Sequence, residues 1–233
     1  MLGIGRIIDR APTAPEVDAI ARLEAGEPLA DLVRTPGLDA SGIIVAIARV
    51  GLGPSGSEGP PLVRSAPPRP ELARAITEAA LADLLPGLDR PGRLALAAGT
   101  LQILGAWDAS HEAAQEADDL GEHATAAYWH EIAHRREPDP GNALYWARRV
   151  GPKHPAFAPI AEAARPLLEA AADPKLAARL TADGGWSLAG FLDLCGRARP
   201  GSPESTLARR LQRVEMIALL DQSLTALGLN NGA

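Results

Sequence analysis

Aromatic side chains are scarce in this sequence of 233 residues, since Phe, Trp and Tyr together make up 3% of it. Alanine and leucine dominate the apolar fraction instead, and such small or γ-branched side chains favour helices over pleated sheets. A chain of this length with 46% hydrophobic residues can bury a core without disulfides or metals to hold it. The composition therefore argues against overall disorder and predicts an all-α protein.

Three further shortages narrow the class of protein. Cys195 is the only cysteine, which excludes an intramolecular disulfide and fits a reducing compartment. The net charge of −6 leaves no basic surface for a nucleic acid. No apolar run approaches the roughly 18 residues of a membrane span, and Arg6 interrupts the apolar start of the chain, unlike a secretory signal. We therefore expect a cytoplasmic protein with no nucleic-acid or membrane partner.

Proline and glycine are concentrated in residues 51–70. Proline removes amide donors and glycine loosens the backbone, so this composition predicts a linker. It would join a small helical segment, residues 1–50, to a helical domain over residues 71–233. The first helix of that domain is predicted to run from Pro70 to Leu84, because proline is favoured in the first turn of a helix.

A period of 33 or 34 residues runs through the main domain. Small residues recur near the starts of three predicted helices, every second one along the chain, at Ser110, Ala143 and Ala177. A small side chain at such a point lets two helices approach closely. Helical hairpins repeated at this spacing resemble tetratricopeptide repeats. The resemblance implies a short tetratricopeptide-like helical-repeat stack, with an irregular helical bundle as the alternative.

The residues that could carry chemistry are concentrated between Trp107 and Phe157. All five histidines, both tyrosines and three of the four tryptophans lie in this stretch. A solenoid would bring the helices of the stretch side by side. The sequence therefore places any functional site here.

The same stretch resembles a signature shared by a group of uncharacterised bacterial and fungal proteins. The signature reads YWH-x3-HRRExD-x2-NA-x-YW-x-RRVG, and it begins at Tyr128 and ends at Gly151 in this chain. Because that group has no known activity, the resemblance implies no particular reaction.

One hypothesis for the site is a metal-dependent hydrolase. The string HEIAH at residues 130–134 has the H-E-x-x-H spacing of zinc proteases. Histidines four residues apart share one helix face and can bind one zinc ion, while Glu131 would act as the catalytic base on a bound water. With His130 and His134 as two ligands, His111 of the preceding helix is the candidate for the third.

The flanks of the string favour a different function. Arg135, Arg136 and Glu137 follow directly, whereas the helices of zinc proteases continue with uncharged residues. We therefore expect no metal or other cofactor, and predict a binding or scaffold module that grips a peptide or protein segment or a small anionic ligand. A third alternative makes the whole cluster part of the core. The residues predicted to line the binding face are Trp107, Trp129, Tyr145, Trp146 and Arg148.

The arginines of this stretch allow two interpretations. Guanidinium groups beside aromatic rings can hold a carboxylate or phosphate. Alternatively, Arg136 and Arg149 pair with Glu131, Glu137 or Asp139 nearby and tie the helical hairpin together.

Overall fold

The computed structural model describes residues 10–181 and 184–229, and within them the chain forms 13 helices and no strand. The predicted all-α helical stack is confirmed. Parts of the predicted N-terminal segment and main domain, residues 1–9, 182–183 and 230–233, lie outside the described residues. The helices in chain order are α1 (Ala14–Glu24), α2 (Leu29–Leu32), α3 (Ala40–Leu52), α4 (Pro70–Ala75), α5 (Glu78–Leu84), α6 (Arg90–Ile103), α7 (Trp107–Asp119), α8 (Ala124–Arg136), α9 (Pro140–Val150), α10 (Phe157–Ala171), α11 (Pro174–Leu180), α12 (Leu188–Arg197) and α13 (Pro203–Ala226).

Side-chain caps determine where several helices begin. At the start of α9, Oδ1 of Asp139 accepts a hydrogen bond from the backbone N–H of Asn142 at 3.0 Å, and proline follows the cap. The same arrangement starts α13, where Oγ of Ser202 accepts from the N–H of Ser205 at 3.1 Å. Each cap satisfies a backbone donor that the first turn leaves without an intrahelical partner.

The predicted helix from Pro70 to Leu84 is wrong, because the structure divides it into α4 and α5. The break falls at Ile76 and Thr77. Oγ1 of Thr77 accepts a hydrogen bond from the N–H of Ala80 at 3.1 Å and so caps α5. A threonine inside an apparently continuous helical pattern can thus start a new helix instead of continuing the old one.

The centre of the fold is α6, which packs against α3, α5, α7, α8 and α13. Its closest approach to α8 is at Gly99, where an added Cβ would lie 2.6 Å from Cε2 of Trp129. The indole ring of Trp129 fills this contact and is fully buried. Helix α8 is therefore pressed against the core, which fixes the position of the side chains on its other sides.

The proline-rich segment between α3 and α4 lies on the main body. The Nε of Arg136 donates to the carbonyl of Pro61 at 3.1 Å, and the N–H of Arg64 donates to the carbonyl of Arg136 at 2.6 Å. Helix α3 packs on α6, and an added Cβ at Gly51 would lie 2.7 Å from the Ile103 side chain. From residue 10 onward, the N-terminal helices therefore share one core with the rest of the described chain.

The longest helix, α13, has 24 residues and packs against α6, α10 and α12. Its length would suffice to cross a bilayer, but it buries charged side chains, Arg213 and Glu215 among them. In the described part of the chain, no helix combines the length and the apolar character that crossing a membrane requires. From α13, the Glu215 side chain reaches α8 and contacts Tyr128 and Arg135.

Candidate metal centre

Three histidines from neighbouring helices meet where α7 packs against α8. His130 and His134 lie four residues apart on α8 and project from the same face. His111 projects from α7. One nitrogen of each ring lies within 4.8 Å of a nitrogen of the other two. We call these three residues the histidine cluster, and they are the residues that the sequence suggested as ligands if a metal is bound.

The spacing of two of these rings matches shared coordination of one ion. The Nε2 atoms of His111 and His134 are 3.3 Å apart. Two nitrogens bound to a tetrahedral zinc ion at about 2.0–2.1 Å are themselves about 3.3–3.4 Å apart. A hydrogen bond between the two rings would also account for this pair, because a neutral imidazole can both donate and accept.

His130 separates the two explanations. Its ring stands 4.4 Å from that of His111 and 4.9 Å from that of His134, measured between ring centroids. The residue is 1% exposed, and its Nδ1 has no hydrogen-bond partner. Burying a polar atom without a partner costs free energy. A hydrogen bond between His111 and His134 does not involve this third imidazole, whereas an ion site of three histidines includes it.

Glu137 orients the ring of His134. One carboxylate oxygen, Oε2, lies 3.1 Å from Nδ1 of His134. A carboxylate accepts hydrogen bonds, so Nδ1 is the protonated nitrogen and Nε2, which faces His111, carries the lone pair. A carboxylate on the outer nitrogen of a ligating histidine is a common feature of metal sites. Glu137 therefore belongs to the site as the residue that sets the tautomer of His134.

Two tryptophans hold the other rings in place. The indole of Trp107 stacks on His111 with centroids 4.9 Å apart, and its Nε1 donates to the carbonyl of Ala133 at 2.6 Å. The ring of Trp146, from α9, stacks on His130 at 3.8 Å. Stacking and hydrogen bonding limit the rotation of both imidazoles. The histidine cluster is thus preorganised by three consecutive helices.

Burial keeps the imidazoles of His111 and His130 neutral. Burial, and after it the neighbouring His111 and His134, lower the pKa of His130 from 6.5 to about 3. The pKa of His111 is lowered as well, first by burial and then by His134. A neutral imidazole has the lone pair that a metal ion needs, whereas a protonated one does not. Near neutral pH, these two rings are in the form that binds metal.

Glu131, the catalytic base suggested for a hydrolase, does not join the histidine cluster. Its carboxylate is buried, and Oε2 accepts a hydrogen bond from Nη1 of Arg135 at 2.9 Å. Burial raises the pKa of Glu131 to about 8, although Arg135 acts in the opposite direction. The geometry does not support a role for this carboxylate in activating a water beside the three imidazoles. The spacing of Glu131 and Arg135, four residues apart with the acid first, is a signal for this pairing.

Arg135 also pairs with Glu215, which comes from α13. The Glu215 carboxylate accepts further hydrogen bonds at 3.0 Å from the Tyr128 hydroxyl and from Nε1 of Trp186. We call these five residues, Tyr128, Glu131, Arg135, Trp186 and Glu215, the Arg135 network. Because Glu215 receives most of the donors, the charge of Arg135 is balanced there, and Glu131 stays protonated more readily. No pattern in the sequence indicates Glu215 as a partner, since it lies 80 residues from Arg135.

The five residues predicted to bind a ligand do not line one wall. Trp129 is fully buried against α6, and Trp146 is 6% exposed beneath the histidine cluster. Trp107 is half-buried, whereas Tyr145 is 51% exposed and Arg148 is exposed. The aromatic rings serve mainly as core and as support for the imidazoles. A peptide or small anionic partner stays a prediction, with Tyr145 and Arg148 as its exposed contact residues.

The partners expected for two arginines were wrong. Arg136 is buried and donates to the backbone carbonyl and the side-chain oxygen of Gln102, and it contacts no carboxylate among the hydrogen bonds described. Arg149 pairs with Asp118 of α7 at 2.6 Å. Both partners belong to other helices, and neither is one of the acidic residues nearby in sequence. These contacts tie α8 to α6 and α9 to α7.

Comparison with protein families, with curated proteins and with solved structures finds no match to this chain. The resemblance to the uncharacterised bacterial and fungal group therefore stays a prediction. A function for this protein has to be argued from the geometry of the site itself.

Proposed function

We propose that this protein binds a divalent first-row transition-metal ion, with zinc as the first candidate, through the histidine cluster. The observation that carries the proposal is the convergence of three imidazoles whose candidate ligand nitrogens lie within 4.8 Å of one another. Imidazole is a common ligand for zinc, copper, nickel and iron in proteins. Three histidine ligands form one of the sets that hold zinc in enzymes.

The surroundings of the cluster support this proposal. Glu137 supplies the outer carboxylate, the two tryptophans fix the rings, and burial keeps His111 and His130 unprotonated. Each of these features favours metal binding by preparing the ligands before the ion arrives. The hydrolase predicted from the HEIAH string has weaker support, because Glu131 is bonded within the Arg135 network.

We propose further that the helical stack is tetratricopeptide-like and acts as a cytoplasmic scaffold for this site. Two of the three small residues that suggested the repeat, Ser110 and Ala143, are fully buried, and Oγ of Ser110 donates to the carbonyl of Ala98 at 2.8 Å. Such contacts support close helix packing at the predicted points. The third, Ala177, is only half-buried.

Calorimetric titration of the metal-free protein with zinc tests the proposal. We expect one ion per chain. At free zinc 100-fold above the dissociation constant, the folded state should gain about 2.7 kcal/mol in unfolding free energy. His111→Ala and His134→Ala should each abolish stoichiometric binding, since each removes one of three ligands. Two variants are used because His111 is half-buried and tolerates truncation better than the buried His134.

His123→Ala is the matched control. This histidine is exposed, bonds to Asp118 and lies outside the histidine cluster. Its loss should leave both the stoichiometry and the affinity for zinc unchanged. Wild-type protein that takes up no zinc, or His111→Ala and His134→Ala variants that bind zinc as tightly as the His123→Ala protein, would refute metal binding at this site.

A further inference from the structure

The histidine cluster offers a metal ion three protein donors. Within residues 10–181 and 184–229, these three imidazoles lie together, and no fourth His, Cys, Asp or Glu side chain joins all three of them. Zinc in structural sites is bound by four protein ligands, whereas zinc in catalytic sites is bound by three and keeps a fourth position for water or substrate. With three protein donors, the histidine cluster matches the catalytic kind of site.

The two carboxylates that lie close to His134, those of Glu137 and Asp139, are already engaged in other contacts. Glu137 lies against Nδ1 of His134, on the other side of the ring from Nε2. Asp139 accepts hydrogen bonds from the N–H and the side-chain Nδ2 of Asn142 at 3.0 and 2.8 Å, as the cap of α9. Glu137 and Asp139 do form a second group with His134, but that group does not include His111 or His130. Neither carboxylate is placed to complete the three-imidazole set.

Access to the cluster is from one side. His130 and His134 are buried at 1% and 7% exposure, whereas His111 is half-buried. The rings of Trp107 and Trp146 cover His111 and His130 on their stacked faces. Because His111 is the least buried of the three, we expect a donor from solvent to approach the ion beside it, and burial of the other two rings favours a small one. Since three neutral ligands leave the charge of a divalent ion uncompensated, a small anion or a water molecule suits the position.

We propose that the metal ion held by the histidine cluster keeps one coordination position open to a small exogenous donor, either water or a small anion. This inference rests on the proposed function, because it presupposes an ion on the three imidazoles. It assigns the site to the kind that binds and polarises a small molecule, not to the kind that only cross-links helices. The class of ligand is set by size and charge: one donor atom of oxygen or nitrogen in a molecule of a few atoms.

Cobalt(II) and azide test the inference directly. The metal-free full-length protein is loaded with one equivalent of Co²⁺, and its visible absorption spectrum is followed while sodium azide is added. We expect a saturable change in the cobalt bands that fits one azide per cobalt, because azide enters the open position. A spectrum unchanged by azide, with cobalt fully bound, would overturn the inference and leave the proposed function standing. Failure to bind cobalt or zinc at all would overturn the proposed function instead.

Glu137→Gln identifies the one rearrangement that could close the site. If Glu137 swings inward and ligates the ion, wild-type protein should resist azide and the Glu137→Gln variant should bind it. If the position is open, both proteins should bind azide with comparable affinity, although the variant will hold cobalt less tightly because the carboxylate behind His134 is lost. The first pattern contradicts the inference, and the second supports it.

Discussion

Helix α8 carries two buried polar clusters, on two sides, and they differ in charge balance. The Arg135 network contains a guanidinium and two carboxylates that bond to one another, so its charge is compensated inside the protein. The histidine cluster consists of three imidazoles with no negative charge among them, and burial keeps two of them, His111 and His130, neutral. A network with charges of both signs joins helices. A group of neutral donors has the capacity to take up a cation.

The largest effect on the unfolding free energy is expected from a substitution in the Arg135 network. Arg135→Ala should reduce the unfolding free energy by about 3–5 kcal/mol, because it leaves the buried carboxylate of Glu215 without its cation. Urea unfolding followed by circular dichroism measures this. Arg148→Ala is the matched control, since Arg148 lies exposed on α9, and its removal should change stability by no more than about 0.5 kcal/mol. Equal effects of the two substitutions would show that the Arg135 network does not stabilise the fold.

On the histidine side, we expect the supporting rings to contribute most of the stability. Trp146→Ala should cost about 3 kcal/mol, at the lower end for a buried tryptophan, because an edge of the ring is exposed. Its neighbour Tyr145 is half exposed, so Tyr145→Ala should cost less than about 1 kcal/mol. Thermal and urea unfolding of the two variants compares them. Similar losses would mean that Trp146 lines an open groove and does not belong to the core.

Adding a single methyl group at Gly99, where α6 contacts α8, should lower the stability of the protein. Gly99→Ala normally favours a helix by about 1 kcal/mol. Here the new Cβ would lie 2.6 Å from the ring of Trp129, so we expect a net loss of about 1–3 kcal/mol. Gly87→Ala is a comparison at a site with open space around the added Cβ. A Gly99→Ala protein as stable as wild type would show that α6 and α8 are less closely packed.

The stability contributions of His130 and Glu131, on the two sides of α8, should change with pH in opposite directions. Burial lowers the pKa of His130 to about 3, so its contribution to stability is complete above pH 6.5 and is lost as the pH falls toward 3. Burial raises the pKa of Glu131 to about 8, so its contribution is complete below pH 4.5 and is lost as the pH rises toward 8. Between pH 4.5 and 6.5 the two effects offset each other, so metal-free protein should be most stable in this range.

Glu131→Gln separates the two contributions. The variant should lose the decline in stability between pH 6.5 and 8, where the histidines no longer offset the loss from Glu131. It should keep the decline at acid pH, where His130 and the similarly buried His154 titrate. Urea unfolding at a series of pH values measures both. A decline on the alkaline side that persists in the variant would show that Glu131 is ionised in the folded state.

Local patterns in the sequence predicted much of the fold and part of the site. The bounds of α8 follow from its helical pattern, and the spacing of His130 and His134 placed both rings on one face. His111 was correctly chosen as their neighbour from the preceding helix. These features depend on residues close in sequence, where helical geometry alone determines the outcome.

The failures depend on contacts between distant residues. Glu131 follows His130 directly, but successive residues on a helix point about 100° apart, and the partner that covers each side decides the chemistry there. That partner is Glu215, which no short motif connects to α8. Trp129 was expected on a binding face, and the contact with Gly99 of α6 buries it. No periodicity in the sequence reveals which helix will occupy a given side.

Crystallography of the zinc-soaked protein with anomalous scattering at the zinc edge tests the central claim most directly. We expect one strong anomalous peak at about 2.0–2.1 Å from a nitrogen of each of His111, His130 and His134. A peak bound only by His134, Glu137 and Asp139, or the absence of any peak between α7 and α8 at saturating zinc, would contradict the assignment.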